Sequence, residues 1–104
     1  MNEKKLFSLF GLAQKAGKIA SGDAKVQKTV KAGQAKLLIV AKDASEPTQK
    51  SYRDMANFYQ VNLIAAFTKQ ELGLSVGKGE RAALVVVDEG FSKAICKEFN
   101  QMRE

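Results

Sequence analysis

Segment 18–28, KIASGDAKVQK, brings residue types that bind phosphate groups together at the predicted start of a helix. The first turn of a helix has unpaired backbone N–H groups and positive dipole character, so it attracts phosphate oxygens. Gly22 leaves room for a nucleic-acid backbone, and Lys25 and Lys28 share one helical face. Gln27 offers a donor and an acceptor to base edges. The alternative is an ordinary capped helix with exposed lysines. The candidate contact residues are Lys18, Gly22, Lys25, Gln27 and Lys28.

A second candidate segment is 77–82, GKGERA, which formally matches the dinucleotide-binding pattern G-x-G-x-x-A. That pattern must follow a strand and open a helix, whereas here it follows a helix and opens a strand. A P-loop is also excluded, because only three residues separate Gly73 from Gly77. There remains a glycine-flanked loop that brings cations and backbone close to a ligand, or else a simple surface turn. The candidate contact residues are Gly77, Lys78, Gly79 and Arg81.

The sequence offers little for catalysis or metal binding. It has no histidine and one cysteine, Cys96, which has no basic partner group. Asp88 and Glu89 are adjacent at the end of a predicted strand, where their side chains point to opposite faces, so we expect them to cap the following helix. We therefore expect no catalytic residue, no metal site and no cofactor.

The charge is unevenly distributed along the 104 residues, which carry a net charge of +6. Residues 1–53 contain eleven basic and four acidic residues, a net charge of +7, and residues 54–104 contain six and seven, a net charge of −1. A one-sided cationic field favours a polyanionic partner such as nucleic acid. The alternative is a solvated, lysine-rich surface.

Two helices are predicted before the first strand. An apolar stripe at helical spacing predicts the first helix, which ends at Gly17. The second begins at segment 21–23, whose side chains suit an N-cap, buries Val26 and Val30, and ends at Gly33. The stripe of the first helix contains Leu6, Phe7, Leu9, Phe10, Leu12, Ala13 and Ala16.

Three further helices are predicted downstream. Asp43, Ser45 and Pro47 mark the start of the third, and Thr68 caps a short fourth helix that stops near Gly73. The apolar faces expected in the core are Tyr52, Met55, Ala56 and Tyr59 in the third helix, and Phe91, Ala94, Ile95, Phe99 and Met102 in the last.

Apolar runs at 37–41, 63–67 and 82–87 predict three buried strands that alternate with the helices. This order predicts a single α/β domain over residues 1–104, with helices on both faces of a largely parallel sheet. No apolar run approaches the roughly 20 residues that span a bilayer, and no signal-peptide core follows the first residues. We expect a cytoplasmic protein that does not enter a membrane.

The pattern G-x-x-x-V-x-K-x-V-x-x-GQAKL-x-I-x-A-x-D, from Gly22 to Asp43, resembles the kink-turn RNA-binding family of small ribosomal proteins, the L7Ae type, and especially its bacterial YlxQ-like branch. The similarity continues through segments 69–73 and 82–87. It implies a three-layer α/β/α sandwich around a mixed, roughly four-stranded sheet. It also implies that Gly22 is the glycine of close approach, that Lys28 is the lysine of the contact helix, and that segment 77–81 is a second RNA-contacting loop.

The sequence departs from this pattern at the contact helix. Family members that read tandem sheared G·A pairs carry Asn-Glu where this chain has Ala24-Lys25. Ala24 has no hydrogen-bonding side chain, and Lys25 reverses the charge of the acidic acceptor. The second loop is also charged, where kink-turn readers often have apolar residues. Phosphate attraction is therefore expected to contribute more to binding than base reading.

The sequence as a whole predicts a non-enzymatic RNA-binding protein that is ribosomal or associated with the ribosome. Its expected partner is a kink-turn-like or otherwise bent structured RNA, with ribosomal RNA as the first candidate, and the protein is expected to be a monomer in isolation. The alternative is a regulatory α/β domain that uses its basic face to bind an acidic protein.

Overall fold

A computed structural model describes residues 3–102, which form five helices and four strands. The elements, in chain order, are α1 (Glu3–Lys15), β1 (Ile19–Ser21), α2 (Asp23–Lys31), β2 (Leu37–Val40), α3 (Glu46–Tyr59), β3 (Asn62–Ala65), α4 (Lys69–Ser75), β4 (Ala83–Val86) and α5 (Glu89–Met102).

The predicted helix boundaries are confirmed at most positions. α1 and α2 end just before Gly17 and Gly33, where backbone hydrogen bonds close the last turn. Ser45 caps α3 by accepting a hydrogen bond from the N–H of Thr48, and Pro47 lies in its first turn. Thr68 and Glu71 form a reciprocal capping box on α4, which runs two residues past Gly73. The last helix begins at Glu89, and the Oδ2 atom of Asp88 accepts from the N–H of Phe91 at 2.8 Å.

The four strands form one mixed sheet in the order β1-β4-β2-β3. Strands β2 and β3 are parallel, whereas β4 is antiparallel to both β1 and β2. The largely parallel sheet expected from the alternation of strands and helices is therefore wrong, and the mixed sheet implied by the family resemblance is confirmed. Alternation indicates which segments are strands, but the direction of each strand depends on where the preceding helix returns the chain.

Two strands differ from the sequence-based predictions. β1 was not predicted, because its three residues are too few to produce an apolar pattern; it is held by pairing Ser21 with Leu84 and Ile19 with Val86. β3 was predicted to be buried but is an edge strand, with Asn62 and Ala65 exposed. Only β2 and β4 are buried along their whole length.

The helices form two layers that cover the sheet. On one face α2 packs against α3, and on the other α1 packs against α4 and α5. The three-layer α/β/α sandwich is therefore confirmed. Its core is formed by side chains from both layers and from β2 and β4, including Leu6, Phe10, Val26, Val30, Tyr52, Leu72 and Ile95.

Four residues of the predicted apolar faces are exposed instead. Leu12 and Ala94 lie on the solvent side of α1 and α5, Ala16 lies just after the end of α1, and Tyr59 is 37% exposed at the end of α3. In each case the apolar stripe is wider than the surface that the neighbouring layer covers. No helix within residues 3–102 is both long enough and apolar enough to cross a membrane.

Candidate nucleic-acid interface

The strand register brings the two candidate segments, 18–28 and 77–82, to the same end of the sheet, where β1 ends and β4 begins. The end of β1 pairs with the start of β4, through Ser21 and Leu84. The loop that precedes β4 therefore lies beside the turn into α2. A hydrogen bond joins them directly: the Nε atom of Arg81 donates to the Oγ atom of Ser21 at 3.3 Å. Residues 60 positions apart in sequence thus form one continuous surface.

Gly22 forms an open turn between β1 and α2. Its φ of 94° and ψ of 136° belong to a region that glycine adopts and other residues avoid. It is the N-cap of α2 and offers no side chain to the first-turn N–H groups. A Cβ atom built on Gly22 would meet nothing within 4 Å. The start of α2 is therefore accessible to an oxygen atom of a ligand, such as a phosphate oxygen. The backbone N–H groups of the first turn and the helix dipole would favour its binding.

The lysines of the first candidate segment do not all lie at this turn. Lys25 and Lys28 are exposed and lie one helical turn apart on α2, next to the open helix start. Lys18 is exposed too, but its C=O accepts a hydrogen bond from the N–H of Val87, at the other end of β1. The structure thus groups Lys25 and Lys28 with Gly22 and places Lys18 about 10 Å away along the strand.

The loop 77–81 is folded tightly over α4. The N–H of Lys78 donates to the C=O of Gly73 at 2.8 Å, and the backbone of Gly79 lies so close to Gly73 that no side chain fits between them. Gly77, Lys78 and Gly79 remain exposed. The loop therefore presents backbone and the Lys78 ammonium to solvent from a fixed position.

Arg81 is bonded mainly within the protein. Besides Ser21, its guanidinium donates to the C=O groups of Gly79, at 3.3 Å, and Glu80, at 2.9 Å. Its backbone N–H donates to the C=O of Lys69. Arg81 therefore holds the loop in shape and ties it to the Gly22 turn, a positioning role that the sequence alone did not indicate.

A family model described as "Ribosomal protein L7Ae/L30e/S12e/Gadd45 family" matches residues 4–96. The chain belongs to this family. It is 36% identical over 95 residues to the RNA-binding protein YlxQ of Bacillus subtilis (strain 168), covering 91% of this chain and 95% of that one. It is 30% identical over 90 residues to the large ribosomal subunit protein eL8 of Picrophilus torridus, covering 85% and 70%.

A solved structure of a protein of unknown function from Bacillus halodurans C has the same fold. The two align with a TM-score of 0.89 at 36% identity, covering 94% of this chain and 99% of that one. The resemblance to the L7Ae type and to its YlxQ-like branch is therefore confirmed. The assignments of individual contact residues stay predictions.

In this L7Ae-family chain, Asp23 and Gln27 are turned towards α3. The hydroxyl of Tyr52 donates to the Oδ1 atom of Asp23 at 2.5 Å, and Gln27 lines the same cleft of about 200 Å³ between the two helices. Asp23 therefore does not cap α2 with its side chain, contrary to the sequence-based expectation. Gln27 is half-buried, which gives it less freedom to reach a base edge than the exposed Lys25 and Lys28.

Burial raises the pKa of Tyr52 well above its usual range, and the carboxylate of Asp23 raises it further, while a hydrogen bond from Gln27 opposes the shift. The folded state thus keeps the hydroxyl proton at pH values where the unfolded chain loses it. Stability from this group is complete below the unfolded pKa of about 10 and falls as the pH rises above it.

We therefore predict an alkaline loss of stability that the Tyr52→Phe variant lacks. Between pH 9 and pH 11 the free energy of unfolding of the wild type should fall by about 1 kcal/mol more than that of Tyr52→Phe. Urea unfolding at each pH measures the difference, and Tyr59→Phe, at an exposed tyrosine, is the matched control. Equal pH dependence in all three proteins would contradict the hydrogen bond between the buried Tyr52 and Asp23.

Two further loops reach the same edge of the sheet and were not predicted as part of the site. The N–H of Lys42 donates to the C=O of Phe67, and the Oδ1 atom of Asp43 accepts from the N–H of Lys69 at 2.8 Å. Lys42 is exposed and Lys69 half-exposed, so both add cations to this edge. Their signal in the sequence was weak, because isolated lysines after two strands become neighbours only when strand register is known.

Within residues 3–102, no three or more His, Cys, Asp or Glu residues come together in a group that could hold a metal ion. Burial raises the pKa of the Cys96 thiol, and a hydrogen bond with Ser92 opposes the shift. A raised pKa makes a thiol less reactive, which agrees with the expectation that Cys96 is not a nucleophile.

Proposed function

We propose that this protein is a non-enzymatic RNA-binding protein, ribosomal or ribosome-associated, that binds a kink-turn-like or otherwise bent RNA. The start of α2 and the loop 77–81 form the contact surface. One observation carries the proposal: the hydrogen bond between Arg81 and Ser21 joins an open, glycine-capped helix start to a glycine-rich loop. A relative that is 36% identical, the RNA-binding protein YlxQ of Bacillus subtilis, supports the same ligand class.

A bent RNA fits this surface better than a straight duplex does. The helix start and the loop meet at one sheet edge, so they contact a ligand from two directions. The N–H groups of α2 and the ammonium groups of Lys25 and Lys28 face one strand of such a ligand, while Lys78 reaches the other. Phosphates are drawn closer together at a bend, where clustered cations offset their repulsion.

Electrostatic attraction supplies most of the affinity in this proposal. Ala24 has no side-chain group to hydrogen-bond a base, and Lys25 adds a cation where family members that read tandem sheared G·A pairs carry an acidic residue. Affinity should therefore fall steeply with salt. The ligand class we propose includes ribosomal RNA, bound by a single copy of the protein.

The direct test is a titration of the full chain against two RNAs at four salt concentrations. One is a kink-turn hairpin, and the other is a fully paired hairpin of the same length and composition. We expect the bent RNA to bind more tightly at each salt concentration. Equal affinity for the two RNAs would remove the preference for a bend, and no binding at the lowest salt would overturn the proposal.

Replacing Lys28 by alanine should weaken RNA binding about three- to tenfold at low salt and reduce the slope of log K against log salt by about one. The physical reason is the loss of one ammonium group that displaces counterions from the phosphates. Fluorescence anisotropy measures both quantities. Lys93→Ala, an exposed lysine on α5 in the opposite helical layer, is the matched control and should leave the slope unchanged. The same slope for wild type and Lys28→Ala would refute this contact.

A further inference from the structure

α1 and α5 leave an apolar strip uncovered in the helical layer opposite α2. Leu12 is 55% exposed, and Leu9, at helical spacing from it, is only partly buried. From α5, Phe91 is half-buried and Ala94 exposed. Neighbouring exposed apolar side chains of this kind differ from the isolated ones that are common on protein surfaces, and exposed apolar patches are typical of interaction sites.

The two helices are antiparallel and form a groove. At one end the Nζ atom of Lys5 lies 3.4 Å from the Oε1 atom of Glu98. Leu9, Phe91 and Ala94 line a cavity of about 240 Å³ further along, which reaches Asp88 before α5 begins. We call this surface the α1/α5 groove. The helix α1 on one side of it has 13 residues and spans about 20 Å.

Each of the two helices carries an exposed lysine beside the strip. Lys15 follows Leu12 by three positions on α1, and Lys97 follows Ala94 by three positions on α5, so helical spacing places each next to an apolar residue of the strip, towards opposite ends of the groove. Both are exposed, as are Lys4 and Lys93 further out on the same two helices. Neither Lys15 nor Lys97 forms an ion pair with a carboxylate within residues 3–102. The groove is thus an apolar strip with one exposed lysine on each outer side, and Asp88 is the acidic residue in its lining.

We propose that the α1/α5 groove binds an amphipathic helix of a partner protein, one whose apolar stripe is flanked by Asp and Glu residues. A helix of about 15 residues could lie along the full length of α1. Its apolar side chains cover Leu9, Leu12 and Phe91, and its carboxylates meet Lys15 and Lys97. RNA does not fit this surface as well, because its phosphates would lie against aliphatic side chains.

The location makes this inference independent of the proposed RNA contact. Gly22 and α2 belong to the other helical layer and to one edge of the sheet, so a helix in the groove leaves them free. The protein then carries two ligands at once and links an RNA to an acidic protein. The proposal gives the α1/α5 groove an acidic protein as its partner, a class of partner that the net positive charge of the chain also favours.

The test uses full-length, 15N-labelled protein and a synthetic 15-residue helical peptide with leucines at i, i+3, i+4 and i+7 and glutamates elsewhere. Two comparison peptides carry lysine in place of glutamate or serine in place of leucine. We expect saturable binding of the acidic peptide, with amide shifts confined to α1 and α5. The comparison peptides should bind at least about tenfold more weakly.

Two variants locate the site. Leu12→Gln should weaken the acidic peptide roughly tenfold, because it removes an exposed apolar contact without disturbing the core. Leu74→Gln, at a leucine that is 67% exposed on α4, is the matched control and should bind as the wild type does. Thermal unfolding of both variants verifies that the fold is intact.

Several results would overturn the inference. One is the absence of binding at millimolar peptide, and another is equal binding of the lysine peptide. Amide shifts centred on α2 or the loop 77–81 would place the peptide on the other surface. Displacement of the peptide by RNA, or self-association of the protein that Leu12→Gln abolishes, would identify a different occupant of the groove.

Discussion

Replacing Gly73 by alanine is expected to lower the free energy of unfolding by about 3 kcal/mol, one of the two largest effects that we predict. A Cβ atom on Gly73 would lie 1.9 Å from the carbonyl oxygen of Gly79 and 3.1 Å from that of Lys78. Both atoms belong to the backbone, so neither can rotate away. Either α4 shifts within the core or the loop 77–81 lifts from it, and each response loses buried contacts.

Thermal unfolding measures the first response, and a fall in Tm of roughly 10–20 °C is expected for a domain of this size. Hydrogen exchange measures the second, because the N–H of Lys78 is bonded to the C=O of Gly73 and exchanges faster if the loop lifts. Gly79→Ala is the matched control, since a Cβ atom at position 79 meets nothing within 4 Å. Wild-type Tm together with unchanged Lys78 exchange in Gly73→Ala would contradict the contact.

The fold could be predicted from the sequence where the signal is local. Gly17 and Gly33 end helices, Ser45 and Thr68 begin them, and the apolar run at β2 indicates a strand buried on both faces, because each feature depends on a few neighbouring residues. The sequence could not reveal β1, whose short backbone is ordered by pairing with β4. It could not give strand direction either, because direction is decided by packing between distant segments.

The candidate site could be predicted as a set of residues but not as an arrangement. Gly22, Lys25 and Lys28 were recognisable from residue types and spacing, and they lie together. Arg81 and Gln27 were predicted to contact RNA, yet the structure places Arg81 inside its own loop and Gln27 against α3. The side chains of both residues can form hydrogen bonds with RNA or with protein groups. Which groups they bond to depends on the neighbours that folding brings next to them.

The exposure of Leu12 and Ala94 shows a second limit on what helical spacing can predict. Helical spacing identifies an apolar stripe correctly, but it cannot say how much of that stripe a neighbouring layer covers. The spacing of both residues fits the predicted apolar face of their helix. Both lie exposed at the α1/α5 groove, so the places where the stripe is left uncovered coincide with the second binding surface that we propose.

Replacing Gly22 by alanine should reduce RNA affinity at least tenfold, the largest effect on binding that we predict. The Cβ atom would project into open space, so it clashes with nothing in the free protein. In the complex it would occupy the volume that a phosphate needs in order to reach the first N–H groups of α2. The same change also strains the backbone, whose φ is 94°, and costs about 1–3 kcal/mol of stability.

Gly33→Ala separates these two effects. Gly33 follows the other end of α2, has a φ of 75°, and also has nothing within 4 Å of its Cβ position. It therefore shares the strain but not the proposed contact. Both variants should unfold at lower temperature than the wild type, yet only Gly22→Ala should lose affinity in anisotropy titrations below its unfolding temperature. If both lose affinity equally, the loss reflects strain in α2, and Gly22 is not the point at which RNA approaches the helix.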